Sequence, residues 1–197
     1  MIQRKKISVS NIISLLIVGL LLLVVFKPGV KSYVIRALMV TGIFNPDTAQ
    51  FATGTKKYAN IPDLQFKNAD GKLTSVGGFY TKVVFVNYWA TWCPPCLAEM
   101  PAINDLYNKY KNNEHVAFIM VDVDSDLPRA RAFMQKNGYN LPLYVQANPV
   151  PDSLMNGTIP TTLVFDKRGN LVFKHAGVAD YGSRSFDVFI KNLASRN

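Results

Sequence analysis

Cys93 and Cys96 are the only cysteines in the chain, and two prolines separate them in the run Trp92-Cys93-Pro94-Pro95-Cys96. Two thiols at this spacing can cycle between dithiol and disulfide, bind a metal with further ligands, or form an inert bridge. A bridge closing so short a loop removes little chain entropy and makes a poor staple. A metal needs more ligands than two thiols. His115 and His175 are the only histidines, the first expected near a helix end and the second on a strand. Redox exchange is the favoured reading. One thiolate attacks a disulfide, the second resolves the adduct, and two electrons move without a metal or organic cofactor.

The elements around the pair support this. "KVVFVNYW" (82–89) is β-branched and aromatic, apolar on both faces, and reads as a central strand. "PPCLAEMPAINDLYNKYK" (94–111) repeats apolar residues at helical spacing, with Pro94 and Pro95 in the first turn and Pro101 expected to kink it. Cys93 then stands at a helix N-terminus, where unpaired N–H groups and the helix dipole favour a thiolate. Its thiol is expected to titrate below the ordinary value. Cys96 lies one turn further on. Glu99 follows three residues later, on nearly the same helix face. A carboxylate there raises a neighbouring thiol and can relay a proton. The alternative is that Glu99 only complements the helix N-terminus.

The remaining chain fills in one domain. "LQF" (64–66) and "KLTSV" (72–76) around "NADG" predict a hairpin. "VAFIMVDV" (116–123) predicts a buried strand, "PRARAFMQKNGY" (128–139) a helix stopped at Gly138, and "LPLYVQ" (141–146) a short strand. "TTLVFDKRGNLVFKHAG" (161–177) predicts two strands about a turn, and "SRSFDVFIKNLAS" (183–195) an amphipathic helix. The expected fold is α/β: a mixed sheet with an early parallel βαβ unit, a late antiparallel hairpin, and helices on both faces. Asp122, Asp124 and Asp126 alternate without the glycine and distal glutamate of a calcium loop, and read as a solvated strand end. Trp89, Val164, Phe165 and Phe173 are expected in the core.

Residues 7–26 carry no charge, and as a helix they would rise about 30 Å, one hydrocarbon thickness. Arg4, Lys5 and Lys6 precede them and should hold the N-terminus in the cytoplasm. The expected organisation is a basic tail (1–6), a transmembrane anchor (7–26), a juxtamembrane segment and linker (27–60) and a catalytic domain (61–197). The competing reading, a cleaved signal peptide, finds only a poor cleavage site at Val30-Lys31-Ser32. Residues 30–44 predict a helix at the membrane surface, on the domain, or against a partner. Six of the 22 basic residues precede residue 37, where there are no acids; the other 16 face all 13 acids, a balance of +3. With no basic stripe among aromatics, nucleic-acid binding is not indicated.

"WATWCPPC" after "VVFVN" resembles the thioredoxin superfamily, and "WCPPCLAEMP" resembles its TlpA/ResA-like branch of membrane-anchored thiol-disulfide oxidoreductases. The resemblance covers about residues 60–195, and its anchor matches residues 7–26. It implies a thioredoxin-like fold, Cys93 as nucleophile, Cys96 as resolving thiol, and Glu99 as the group that influences their protonation. It implies that "GTIPTT" (157–162) is a loop facing the pair with a cis Ile159–Pro160 bond. Trp92, Pro94, Pro95, Ile159 and Pro160 would form the surface a substrate meets. Asn87 stands where cytosolic thioredoxins carry a buried aspartate, which shifts any proton relay towards Glu99. The implied setting is a bacterial inner membrane, single-pass, with the catalytic domain outside the cytoplasm. The implied partners are exported proteins with disulfides, apocytochromes c among them, a membrane electron donor, and the lipid bilayer. The alternatives are a copper-binding assembly module of the same fold, needing His175 near the sulfurs, and a disulfide oxidant or isomerase.

Overall fold

The computed structural model describes residues 9–26, 28–39, 42, 44–46 and 63–196. The basic tail 1–6 and most of the expected linker lie outside these residues. Helix α1 spans Val9–Phe26 and α2 spans Pro28–Met39. Eighteen residues rise about 27 Å, short of the about 30 Å of a hydrocarbon core. Among the described residues no helix is long and apolar enough to cross a membrane. Helix α2 folds back onto the domain, where Met39 is buried.

The domain contains β1 (Gln65–Asn68), β2 (Leu73–Ser75), a 3-10 turn (Gly77–Phe79), β3 (Val83–Trp89), α3 (Pro94–Tyr110), β4 (Val116–Asp122), α4 (Leu127–Asn137), β5 (Leu143–Gln146), β6 (Thr161–Phe165), β7 (Leu171–Ala176) and α5 (Arg184–Ser195). The strands form one sheet in the order β2-β1-β5-β4-β3-β6-β7. β3, β4 and β5 run parallel; β6 and β1 pair antiparallel with β3 and β5, and the edge strands β7 and β2 pair antiparallel with β6 and β1. α2 packs against α3. Helix α3 continues unbroken through Pro101.

Every residue of β3 is buried, which explains its uninterrupted apolar run. Val83, Phe85 and Trp89 face a core shared with Met100, Ile103, Ala130, Met134, Phe186, Phe189 and Ile190. Val84, Val86 and Tyr88 face a second core with Val76, Ile119, Leu154 and Leu163. The sheet is mixed and flanked by helices, as expected, but α3, α4 and α5 all share the first face. The second face is covered by the 3-10 turn and residues 150–159. The reason lies in the strand order. Two crossovers of one hand that step the same way, β3 to β4 to β5, leave both helices on one side.

Helix ends follow local chemistry. Asp126 accepts the Arg129 N–H and caps α4, and Gly138 ends it in the left-handed region at φ 69°. Helix α5 buries Phe186, Phe189, Ile190 and Leu193, each contributing about 1.5–3 kcal/mol by leaving water.

Candidate active site

β3 ends at Trp89 and the chain turns once before α3 begins at Pro94. This places Cys93 as the cap of α3. Cys93 and Cys96 form a disulfide with their Cα atoms 5.3 Å apart. The Cys96 N–H points at Cys93 Sγ, 3.3 Å away. Cys93 is slightly exposed, at 3%, whereas Cys96 is at 0%, so an incoming group meets Cys93 first.

The loop before β6 lies opposite. Its Ile159–Pro160 peptide bond is cis, and the Ile159 carbonyl oxygen stands 3.9 Å from Cys93 Sγ. The Thr161 hydroxyl donates to the Thr158 carbonyl at 2.7 Å, and the Gly177 N–H donates to the Pro160 carbonyl at 2.8 Å. The first bond closes the loop on itself, and the second fixes it against the end of β7.

Beneath the disulfide lies a polar layer inside the apolar core. Glu99 is fully buried. Its Oε1 accepts from the Asn87 amide at 2.8 Å, and its Oε2 accepts from the Ala179 backbone N–H at 3.3 Å. The second amide hydrogen of Asn87 goes to Thr162 Oγ1 at 2.9 Å. Burial pushes the Glu99 carboxyl up to about 8, against the pull of its two donors. A carboxyl that titrates near neutrality, one turn below a disulfide, is suited to hold and release a proton. The reading that Glu99 only complements the helix start does not account for this burial.

Trp92 is half exposed beside the disulfide, and its indole N–H donates to Asp124 Oδ2 at 2.7 Å. Trp89, Val164, Phe165 and Phe173 are in the core as expected. The aspartate run departs from the solvated strand end expected for it. Asp122 is 2% exposed and accepts the Asp126 N–H at 2.7 Å, while Asp126 caps α4. These carboxylates satisfy loop N–H groups that have no strand partner.

The structure thus brings Cys93, Cys96, Glu99, Ile159 and Pro160 together, with Trp92, Pro94 and Pro95 on the rim. His175 lies on β7 opposite Thr162, its Nε2 3.3 Å from the Val178 carbonyl. Among the described residues no three His, Cys, Asp or Glu side chains converge as a metal site. Sequence reasoning passed over Asp124 as the partner of Trp92, and over Thr162, Ala179 and Tyr181 around Glu99. Only the alternation of Asp122 and Asp124 at a strand end could have pointed to the first. Nothing local marks the others.

A family model described as Redoxin matches residues 56–187. The thiol-disulfide oxidoreductase ResA of Bacillus cereus is 32% identical over 117 residues, covering 59% of this chain and 67% of that protein. The ResA of Geobacillus kaustophilus is 32% identical over 135 residues, covering 66% and 72%. The chain therefore spans about two thirds of the length of these relatives. A crystal structure of a thiol:disulfide interchange protein of the thioredoxin family from Chlorobium tepidum superposes with a TM-score of 0.56 at 26% identity, covering 68% of this chain and 95% of that one. The fold is thioredoxin-like.

Proposed function

The chain belongs to the Redoxin family and is a thiol-disulfide oxidoreductase, and we propose that it acts as a reductase of protein disulfides outside the cytoplasm. The observation that carries this reading is the Cys93–Cys96 disulfide, capping α3 and facing the Ile159 carbonyl.

In the reduced protein the Cys93 thiolate attacks one sulfur of a substrate disulfide. That bond breaks, a substrate thiolate leaves, and a mixed disulfide forms on Cys93. Cys96 gives up its proton and attacks Cys93 Sγ, which releases the second substrate thiolate and restores the internal disulfide. Two electrons pass to the substrate. Glu99, as a carboxylate, takes the Cys96 proton and returns it to a leaving thiolate. Trp92, Pro94, Pro95, Ile159 and Pro160 form the surface on which an extended substrate chain lies.

The proposed setting is a bacterial inner membrane. Residues 7–26 would be the single anchor, with residues 1–6 cytoplasmic, 27–60 juxtamembrane and 61–197 catalytic. Support comes from the uncharged run after three basic residues, and from its helical course over Val9–Phe26. The proposed substrates are exported proteins whose cysteines must be kept reduced. Apocytochromes c are one such class, which would place the protein in cytochrome c maturation. A membrane electron donor would recharge the pair.

The deciding measurement is the reduction potential of the Cys93–Cys96 pair in the full chain. A value near or below about −220 mV supports a reductase, and a value near about −120 mV makes the protein an oxidant instead.

A further inference from the structure

Helix α1 ends at Phe26 and α2 starts at Pro28, with Lys27 alone between them. Two Cα steps reach at most about 7 Å. Wherever the end of α1 is seated, α2 therefore begins beside it.

Helix α2 has two faces. Met39 is buried and Ile35, one turn before it, is half-buried, on the side that packs against α3. The chain beyond stays on the domain. Gly42, in the left-handed region at φ 80°, turns its N–H back to the Met39 carbonyl at 3.0 Å. The Phe44 carbonyl accepts from the Asp180 N–H at 2.9 Å, and Pro46 is buried. On the other side of α2, Tyr33 is 71% and Val34 43% exposed, and Ala37 is exposed as well. Residues three and four apart are neighbours on a helix, so these three make one apolar patch.

The charges near this patch are of one sign. Lys27, Lys31 and Arg36 are the only charged residues between Lys6 and Asp47. Apolar side chains with a tyrosine, bordered by lysine and arginine, suit the boundary between headgroups and acyl chains. Cations without acids suit anionic headgroups. The short step from α1 is what selects a bilayer over a soluble protein as the occupant.

We propose that α2 lies on the bilayer surface by its outer face, Tyr33, Val34 and Ala37, while its inner face holds the catalytic domain. This rests on the reading of α1 as the membrane anchor. The domain is then seated at the membrane through α2, and residues 47–62 do not set how far the active site stands from it.

Tryptophan quenching in the full chain tests this. The protein is reconstituted in vesicles of phosphatidylcholine and phosphatidylglycerol, brominated either near the headgroup or near the end of the acyl chains. Each variant's emission is read as its difference from the parent, which subtracts Trp89 and Trp92. Tyr33→Trp is expected to lose most of its added emission to bromine near the headgroup, and Val34→Trp should do the same. Leu15→Trp, on α1, should lose most of its own to bromine at the chain ends. Tyr80→Trp, at an exposed position after the 3-10 turn on the far face of the sheet, should keep its emission in both. Quenching of Leu15→Trp without quenching of Tyr33→Trp and Val34→Trp overturns the inference alone, and would give this face to a protein partner. Equal quenching of Tyr80→Trp also overturns it, because the domain would then meet lipid on any side. Unquenched Leu15→Trp overturns the anchor reading itself.

Discussion

The Asn87 amide and the Glu99 carboxyl meet across 2.8 Å at a depth where neither side chain touches solvent. The pairing has a consequence for stability. Burial holds Glu99 at about 8 in the fold, against an ordinary 4.5. Below pH 4.5 both folded and unfolded chains are protonated, and the shift has no effect. Between about 4.5 and 8 the unfolded chain releases a proton that the folded chain keeps, so stability falls as pH rises, and the loss is complete above 8. Glu99→Gln removes the titration. The unfolding temperature of the parent, compared with that variant, should therefore drop from about pH 5 to about pH 9. Parallel pH curves for the two proteins would refute a raised Glu99.

The two sulfurs should separate by role. Cys93→Ser is expected to lose disulfide exchange to background while its circular dichroism stays that of the parent. Cys96→Ser should instead accumulate a mixed disulfide on Cys93, seen as a covalent adduct by mass spectrometry without reductant. Retained turnover in Cys93→Ser would sink the mechanism.

Asp124 holds the indole of Trp92 at 2.7 Å, and both residues are largely open to solvent. Asp124→Ala should free the ring with an effect on stability of about 1 kcal/mol or less. The expected functional signature is a rise in KM for a protein disulfide with kcat nearly unchanged. A fall in kcat alone would show that the aspartate acts on the chemistry rather than on the docking surface.

Asp187 ties α5 to α3. It accepts from Lys109 at 2.6 Å and from the Tyr110 hydroxyl at 2.9 Å. Partial burial alone would raise its carboxyl, but Lys109 and Tyr110 together hold it below the ordinary 3.8. A lowered carboxyl contributes stability above its unfolded value and loses it as pH falls through the folded one. Asp187→Asn should cost about 1 kcal/mol at pH 7, a modest figure because Lys109 is more than half exposed. In urea unfolding the difference should vanish in acid. A cost independent of pH would point to packing instead.

How far the sequence foretold this site depends on the reach of each signal. The run 82–89 announced a buried central strand because both its faces are apolar, and β3 is buried throughout. The cysteine spacing and its place before a helix announced the redox pair, since strand end, cap and first turn are consecutive in the chain. The placement of all three domain helices on one face was missed. It follows from the strand order, which no local pattern encodes. Thr162 and Ala179 were missed because they join the Asn87–Glu99 pair only after the chain has returned more than sixty residues later. Asp122 was misread because alternation with valines looks the same whether the carboxylate meets water or a loop N–H.

The start of α3 has a consequence for ions in solution. Helix N-termini bind phosphate, sulfate or carboxylate because several amide hydrogens converge there. Here the Cys93 N–H is turned back to the Ala90 carbonyl, Pro94 and Pro95 have none, and the Cys96 N–H points at Cys93 Sγ. All four positions are accounted for, and one donor remains, addressed to a single sulfur. Dissolved phosphate or sulfate therefore finds no foothold at the reactive end, and the enzyme's rate should be indifferent to which anion buffers it.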